Sequence, residues 1–127
     1  MSGDDEVIHI ETIIMNKFFP LFALLLSVNL NAGTVVTSTS ITNMYTYTAT
    51  GVADDIVLTV ETHITGCESG FWLSGADAKA HAFIPALLLS AFHTGTTVYF
   101  SVYDDVDKHW AGSGGKFCKI NLVGLEK

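Results

Sequence analysis

Asp104, Asp105, Asp107 and His109 form the densest group of ligand-type side chains in this sequence. Alternating carboxylates are the material of calcium loops, but the EF-hand pattern fails here. Counted from Asp105, Trp110 stands where the turn glycine belongs and Lys116 where the bidentate glutamate belongs. A looser cation site and a plain solvated loop remain as readings, and the loop is the commoner outcome. Asp77 and His81 stand four residues apart, which on a helix puts both on one side, yet no HExxH motif accompanies them, and a surface pair fits as well. Nucleophilic catalysis calls for a Ser or Cys beside a base. No G-x-S-x-G turn occurs, although Ser113 in GSGG resembles one, and His63, His81, His93 and His109 would each serve as a base only if the fold brought a partner to them. The Gly-rich run Gly112 to Gly115 lacks the Lys-Ser/Thr ending and the following helix of a phosphate loop, so it reads as a turn. The sequence therefore predicts no catalytic residues, no metal and no cofactor.

Aromatic residues offer another chemistry. Tyr45, Tyr47, Tyr99 and Tyr103 occupy alternating positions in strand-like segments and Trp110 lies in a loop. Rings with one apolar face and a polar edge suit ligands of the same kind, sugars among them, so these five are the candidate ligand-binding residues. The plainer reading is packing between neighbouring strands. Trp72, between Phe71 and Leu73, reads as core.

The elements that would position these residues follow from periodicity. Thr34 to Thr50 is rich in Thr, Val, Ile and Tyr and reads as one long or two short strands. A period of two places Ile41, Asn43, Tyr45 and Tyr47 on one face and Met44 on the other. Gly51 to Asp55 is a turn, and Ile56 to His63 alternates again, with Ile56, Leu58 and Val60 opposite Val57 and Thr59, making an antiparallel pair with the strand before it. Ser74 and Asp77 have capping-box spacing. Ile84, Leu87, Leu88 and Ala91 form a helical stripe that stops at Gly95. Pro85 fits a first turn, so the regular helix is expected from Phe83, with 76–82 as an irregular lead-in. Leu89 and Phe92 lie off the stripe, which implies a helix buried on more than one side. Thr97 to Tyr103 is a strand with Val98, Phe100 and Val102 inward, and Lys116 to Leu125 is the last strand with Cys118, Ile120 and Leu122 on one face. Strands, one helix, then strands predict an α+β domain with a mostly antiparallel sheet packed against a single helix.

Residues Met15 to Ala32, MNKFFPLFALLLSVNLNA, have the form of a secretory signal peptide: Lys17, an apolar run from Phe18 to Val28, and a small Ala32. The run is shorter than the roughly 20 residues needed to span a bilayer, so no membrane anchor is expected. Residues 1–14 carry Asp4, Asp5, Glu6 and Glu11, the wrong charge for an n-region, and read as an extension ahead of a start at Met15. The expected working domain, residues 33–127, is then exported, secreted or periplasmic. In such a compartment Cys67 and Cys118 are expected to pair, although two buried thiols would suit the same sequence. The whole chain has formal charge −7 and no arginine. Its scattered lysines make nucleic acid an unsuitable partner, since phosphate binding depends on clustered Lys and Arg.

Cys67, the GFWLS run from Gly70 to Ser74, the helix from Phe83 to His93, Gly95, the strand from Thr97 to Tyr103 and the W-x-G-S-x-G-K-x-C run from Trp110 to Cys118 follow in one order. That order resembles a group of small exported bacterial proteins of unknown function. More distantly it resembles the receptor-binding B subunits of subtilase cytotoxin and typhoid toxin. The distant resemblance implies a small barrel of the oligosaccharide-binding kind, assembly into oligomers and recognition of glycans at a cell surface. It carries over no ligand-contacting residue. The expectation drawn from residues and resemblance together is a non-enzymatic binding module, possible as a homo-oligomer, for a glycan or surface protein. The competing expectations are a structural or protein-interaction component of the cell envelope and, third, a small hydrolase.

Overall fold

A computed structural model describes residues 33–127; the expected extension and signal peptide, 1–14 and 15–32, lie outside the described residues. In chain order the elements are β1 (Thr34–Thr39), β2 (Ile41–Thr46), β3 (Ile56–Val60), β4 (Gly70–Leu73), α1 (Gly75–Ala80), α2 (Phe83–Thr94), β5 (Val98–Tyr103), a 3-10 turn (Val106–Lys108) and β6 (Phe117–Gly124). The six strands make one sheet in the order β1-β5-β6-β4-β3-β2, antiparallel except where β4 runs parallel to β6. This is the expected α+β arrangement.

Three expectations are corrected. Two helices stand where one was expected. The stretch read as an irregular lead-in contains α1, which starts because the Ser74 hydroxyl accepts the Asp77 N–H at 3.0 Å. Pro85 falls in the first turn of α2, where its missing N–H costs nothing, and Gly95 closes that helix in the left-handed region at φ 70°. The sheet is also not a closed barrel, because no ladder joins β1 to β2. These consecutive strands lie at opposite edges, and only Ser40 between them carries the chain across. The corner is pinned where the Glu61 N–H donates to the Ser40 carbonyl at 3.0 Å and the Thr62 N–H to Thr39 Oγ1 at 2.8 Å. The sheet therefore curls until its two edge strands meet end to end at Ser40, with no ladder between them. Third, within the single chain α2 buries one face only: Leu88 and Ala91 enter the core while Leu89 is 61% exposed.

The core lies between the inner face of the sheet and α2. Leu58, Phe71, Leu73, Val98, Phe100, Val102, Cys118 and Ile120 fill it, and the Phe71 and Phe100 rings meet at 4.8 Å. Cys67 and Cys118 are joined there as a disulfide, with Cα atoms 5.4 Å apart and both residues fully buried. Two bulges change which side chains face this core. A register shift between Ile41 and Asn43 brings Met44 inward and turns Tyr45 out; another, opposite Ser101 and Val102, lets β6 turn Val123 inward and expose Leu122. An extra residue in one strand reverses the alternation beyond it. Leu122 therefore leaves the face on which the sequence had placed it.

Candidate binding face

The outer face of the sheet is ordered by one rung that crosses every strand. Tyr45 of β2 pairs with Val57 of β3, Val57 with Trp72 of β4, Trp72 with Lys119 of β6, Lys119 with Tyr103 of β5, and Tyr103 with Thr34 of β1. Directly paired residues point to the same side of a sheet. Trp72 is thus turned away from its neighbours Phe71 and Leu73, which are core. It is half-buried, correcting its assignment to the interior, and the period of two around it was the signal. Its indole donates to the Lys108 carbonyl at 3.0 Å, which ties the 3-10 turn to this face.

A lysine stands beside each of two rings on the rung, Lys119 of the rung itself and Lys108 of the 3-10 turn. Lys119 Nζ lies 5.8 Å from the centre of the Trp72 ring, and Lys108 Nζ lies 4.2 Å from that of Tyr103. Lys119 also reaches Asp77 of α1 at 3.5 Å, and Lys108 reaches Asp105 at 3.2 Å. The Tyr103 hydroxyl donates to Asn121 Oδ1 at 2.8 Å, and Asn121 Nδ2 donates to Ser101 Oγ at 3.3 Å. Beside these groups a cleft of about 180 Å³ opens between α1, α2 and the ends of β5 and β6, lined by Asp77, Tyr103, Lys119 and Asn121, with Ile84 and Ile120 as apolar parts of its wall. His81 lies on the same cleft.

The five aromatic candidates do not form one surface. Tyr45 and Tyr103 share the rung but stand far apart on it, with three strands between them. Tyr99 sits half-buried further along β5, opposite Ser38 and Gly124. Trp110 is only 5% exposed: its ring packs on Tyr47 at 4.9 Å and edge-on against Phe117 at 5.8 Å. Its indole donates to Asp55 Oδ2 at 3.0 Å, while Asp55 Oδ1 accepts the Gly75 N–H at 2.8 Å. Asp55 is thereby the buried acceptor that joins the loop before β3, the start of α1 and the loop before β6. Sequence reasoning gave it no role, because nothing local marks a carboxylate whose partners are 20 and 55 residues away.

The remaining ligand-type groups are dispersed. The acidic loop holds the ion pair between Asp105 and Lys108, and among the described residues no three His, Cys, Asp or Glu side chains converge as a metal site. His109 Nε2 faces Cys118 Sγ at 3.8 Å, beside the disulfide. Glu68 accepts the Gly66 N–H at 2.9 Å; that bond, then one from its own N–H, holds its carboxyl below the ordinary value, with Lys116 and His109 adding to the effect. A second concavity, of about 550 Å³, runs between β2 and the two helices past Tyr45, Pro85, Leu89 and Phe92.

No protein-family model, no curated protein and no solved structure matches this chain.

Proposed function

We propose that the chain is an exported, non-enzymatic binding module that takes a glycan or another cell-surface group on the face built around Trp72 and Tyr103. The observation that carries this reading is the single outer rung on which two partly open rings each stand beside a lysine, next to a cleft walled by a carboxylate and an amide. Amphipathic rings beside mixed hydrogen-bonding groups suit a ligand that is polar at its edge and apolar on its face. Export is supported by the buried disulfide, a bond that persists in oxidising compartments, and by the sequence of residues 15–32. Among the described residues no helix is long and apolar enough to cross a membrane. The acidic balance argues against a nucleic-acid ligand.

A second reading, a protein-interaction component of the envelope, draws on α2, whose Phe83 is 78% exposed with Leu89 also open to solvent. Apolar side chains grouped in this way mark contact surfaces, including contacts between copies of one chain. A glycan array probed with the disulfide-bonded protein, alongside light scattering to count subunits, separates the readings. Retention of glycans by the wild type and its loss in Trp72→Ala supports the first. An empty array with a specific protein captured through α2 supports the second and removes the first.

A further inference from the structure

We propose that the cleft between α1 and the ends of β5 and β6 is a subsite for one neutral pyranose ring. The inference rests on the reading of the protein as a saccharide-binding module and names the ligand class of that site. Size comes first. The cleft is small, about 180 Å³ against about 550 Å³ for the concavity beside β2, which is the scale of a single ring.

Hydrogen-bonding capacity comes next. Asp77 offers only acceptors, and Lys119, its ammonium 3.5 Å from the Asp77 carboxylate, only donors. Asn121 has an acceptor site and a donor left after its bonds to Tyr103 and Ser101. A wall that mixes donors and acceptors over so short a distance matches hydroxyl groups, each of which donates and accepts. Ile84, partly exposed, supplies the apolar part of the lining, with Ile120 behind it in the core. Charge decides between neutral and acidic sugars. The ammonium of Lys119, the one Lys or Arg side chain in the lining, is already paired with the Asp77 carboxylate at 3.5 Å, so a carboxylate ligand meets no free ammonium there. An anion would have to break that pair and then face Asp77. The arrangement also accounts for the Tyr103 hydroxyl being held by Asn121: a fixed phenol and a fixed amide lose little freedom when a ligand arrives.

The test uses saturation-transfer NMR on the full disulfide-bonded domain with methyl pyranosides of glucose, galactose, mannose and N-acetylglucosamine, and with sodium glucuronate. At least one neutral pyranoside should receive saturation and titrate. Its affinity should fall about tenfold or more in Asp77→Asn and in Asn121→Ala, both at solvent-accessible positions, with unchanged melting temperatures. Glucuronate should bind more weakly than its neutral counterpart. The cleft assignment is overturned, with the module reading intact, if a pyranoside binds both variants as it binds the wild type, if glucuronate is preferred, or if only longer glycans are retained on an array. Absence of binding to every pyranoside and every arrayed glycan overturns both.

Discussion

At the scale of single residues the molecule depends on Asp55 more than on any side chain the sequence brings forward. One carboxylate accepts two buried donors, the Gly75 N–H and the Trp110 indole. Asp55→Ala leaves both unpaired, and each orphaned buried donor costs about 1–3 kcal/mol, so a loss of about 3 kcal/mol is expected in urea unfolding. Asp55→Asn should recover part of this, since its amide retains one acceptor oxygen. Trp110 shows why residue type alone misleads. A tryptophan in a Gly-rich loop looks available to a ligand, yet its ring fills the space between Tyr47 and Phe117. Trp72 shows the converse, because its apolar neighbours suggested a core that only the strand's alternation denies.

At the scale of elements, alternation and stripes were legible wherever the backbone stayed regular. β3 and β5 face as their period of two requires, and Leu88 and Ala91 of α2 are buried as its stripe requires. The bulges in β2 and β6 were not legible, since an inserted residue leaves no mark on composition and reverses every face beyond it. Nor does the sequence say that β4 pairs in parallel with β6, a contact set by tertiary packing. Gly70 serves the other side of β4, its pairing with β3. With φ at 132° and no room for a Cβ against the Leu58 carbonyl, it lets β4 lie close to β3. Gly70→Ala adds backbone strain to a clash with main chain, so a loss of about 3 kcal/mol or more, or failure to fold, is expected by thermal melting. A substitution at Gly33, where nothing lies within 4 Å, should leave the melting temperature unchanged.

At the scale of the whole molecule, an open curled sheet and one main helix face form a small core, and the disulfide clips its centre. Cys67 and Cys118 are 51 residues apart, and closing a loop of that length stabilises by about 4 kcal/mol if chain entropy dominates. The double variant Cys67→Ala, Cys118→Ala should lose about 4 kcal/mol in urea unfolding, with added loss from the space left by two fully buried sulfurs. Because both cysteines are buried, mild reductant should open the native bond slowly, and mass spectrometry of alkylated protein would follow it. The fold class was legible in the order of strand-like and helical periods, and the pairing in the expectation of export, under which two cysteines join. The proposed binding face was legible only in part. Tyr103 carries over from the sequence to that face, whereas Trp72, Lys119 and Asn121 join it only through the register of strands far apart in the chain.

The two tryptophans make that face directly testable. Their indole N–H groups have different partners, the Lys108 carbonyl for Trp72 and the Asp55 carboxylate for Trp110. They give separate reporters in a ¹H–¹⁵N spectrum, assigned through Trp72→Phe. As a glycan retained on the array is titrated into the folded protein, the Trp72 indole should shift progressively while that of Trp110 stays in place. A shift confined to Trp110, or an unmoved Trp72 in the presence of a bound glycan, would contradict the assignment of this face.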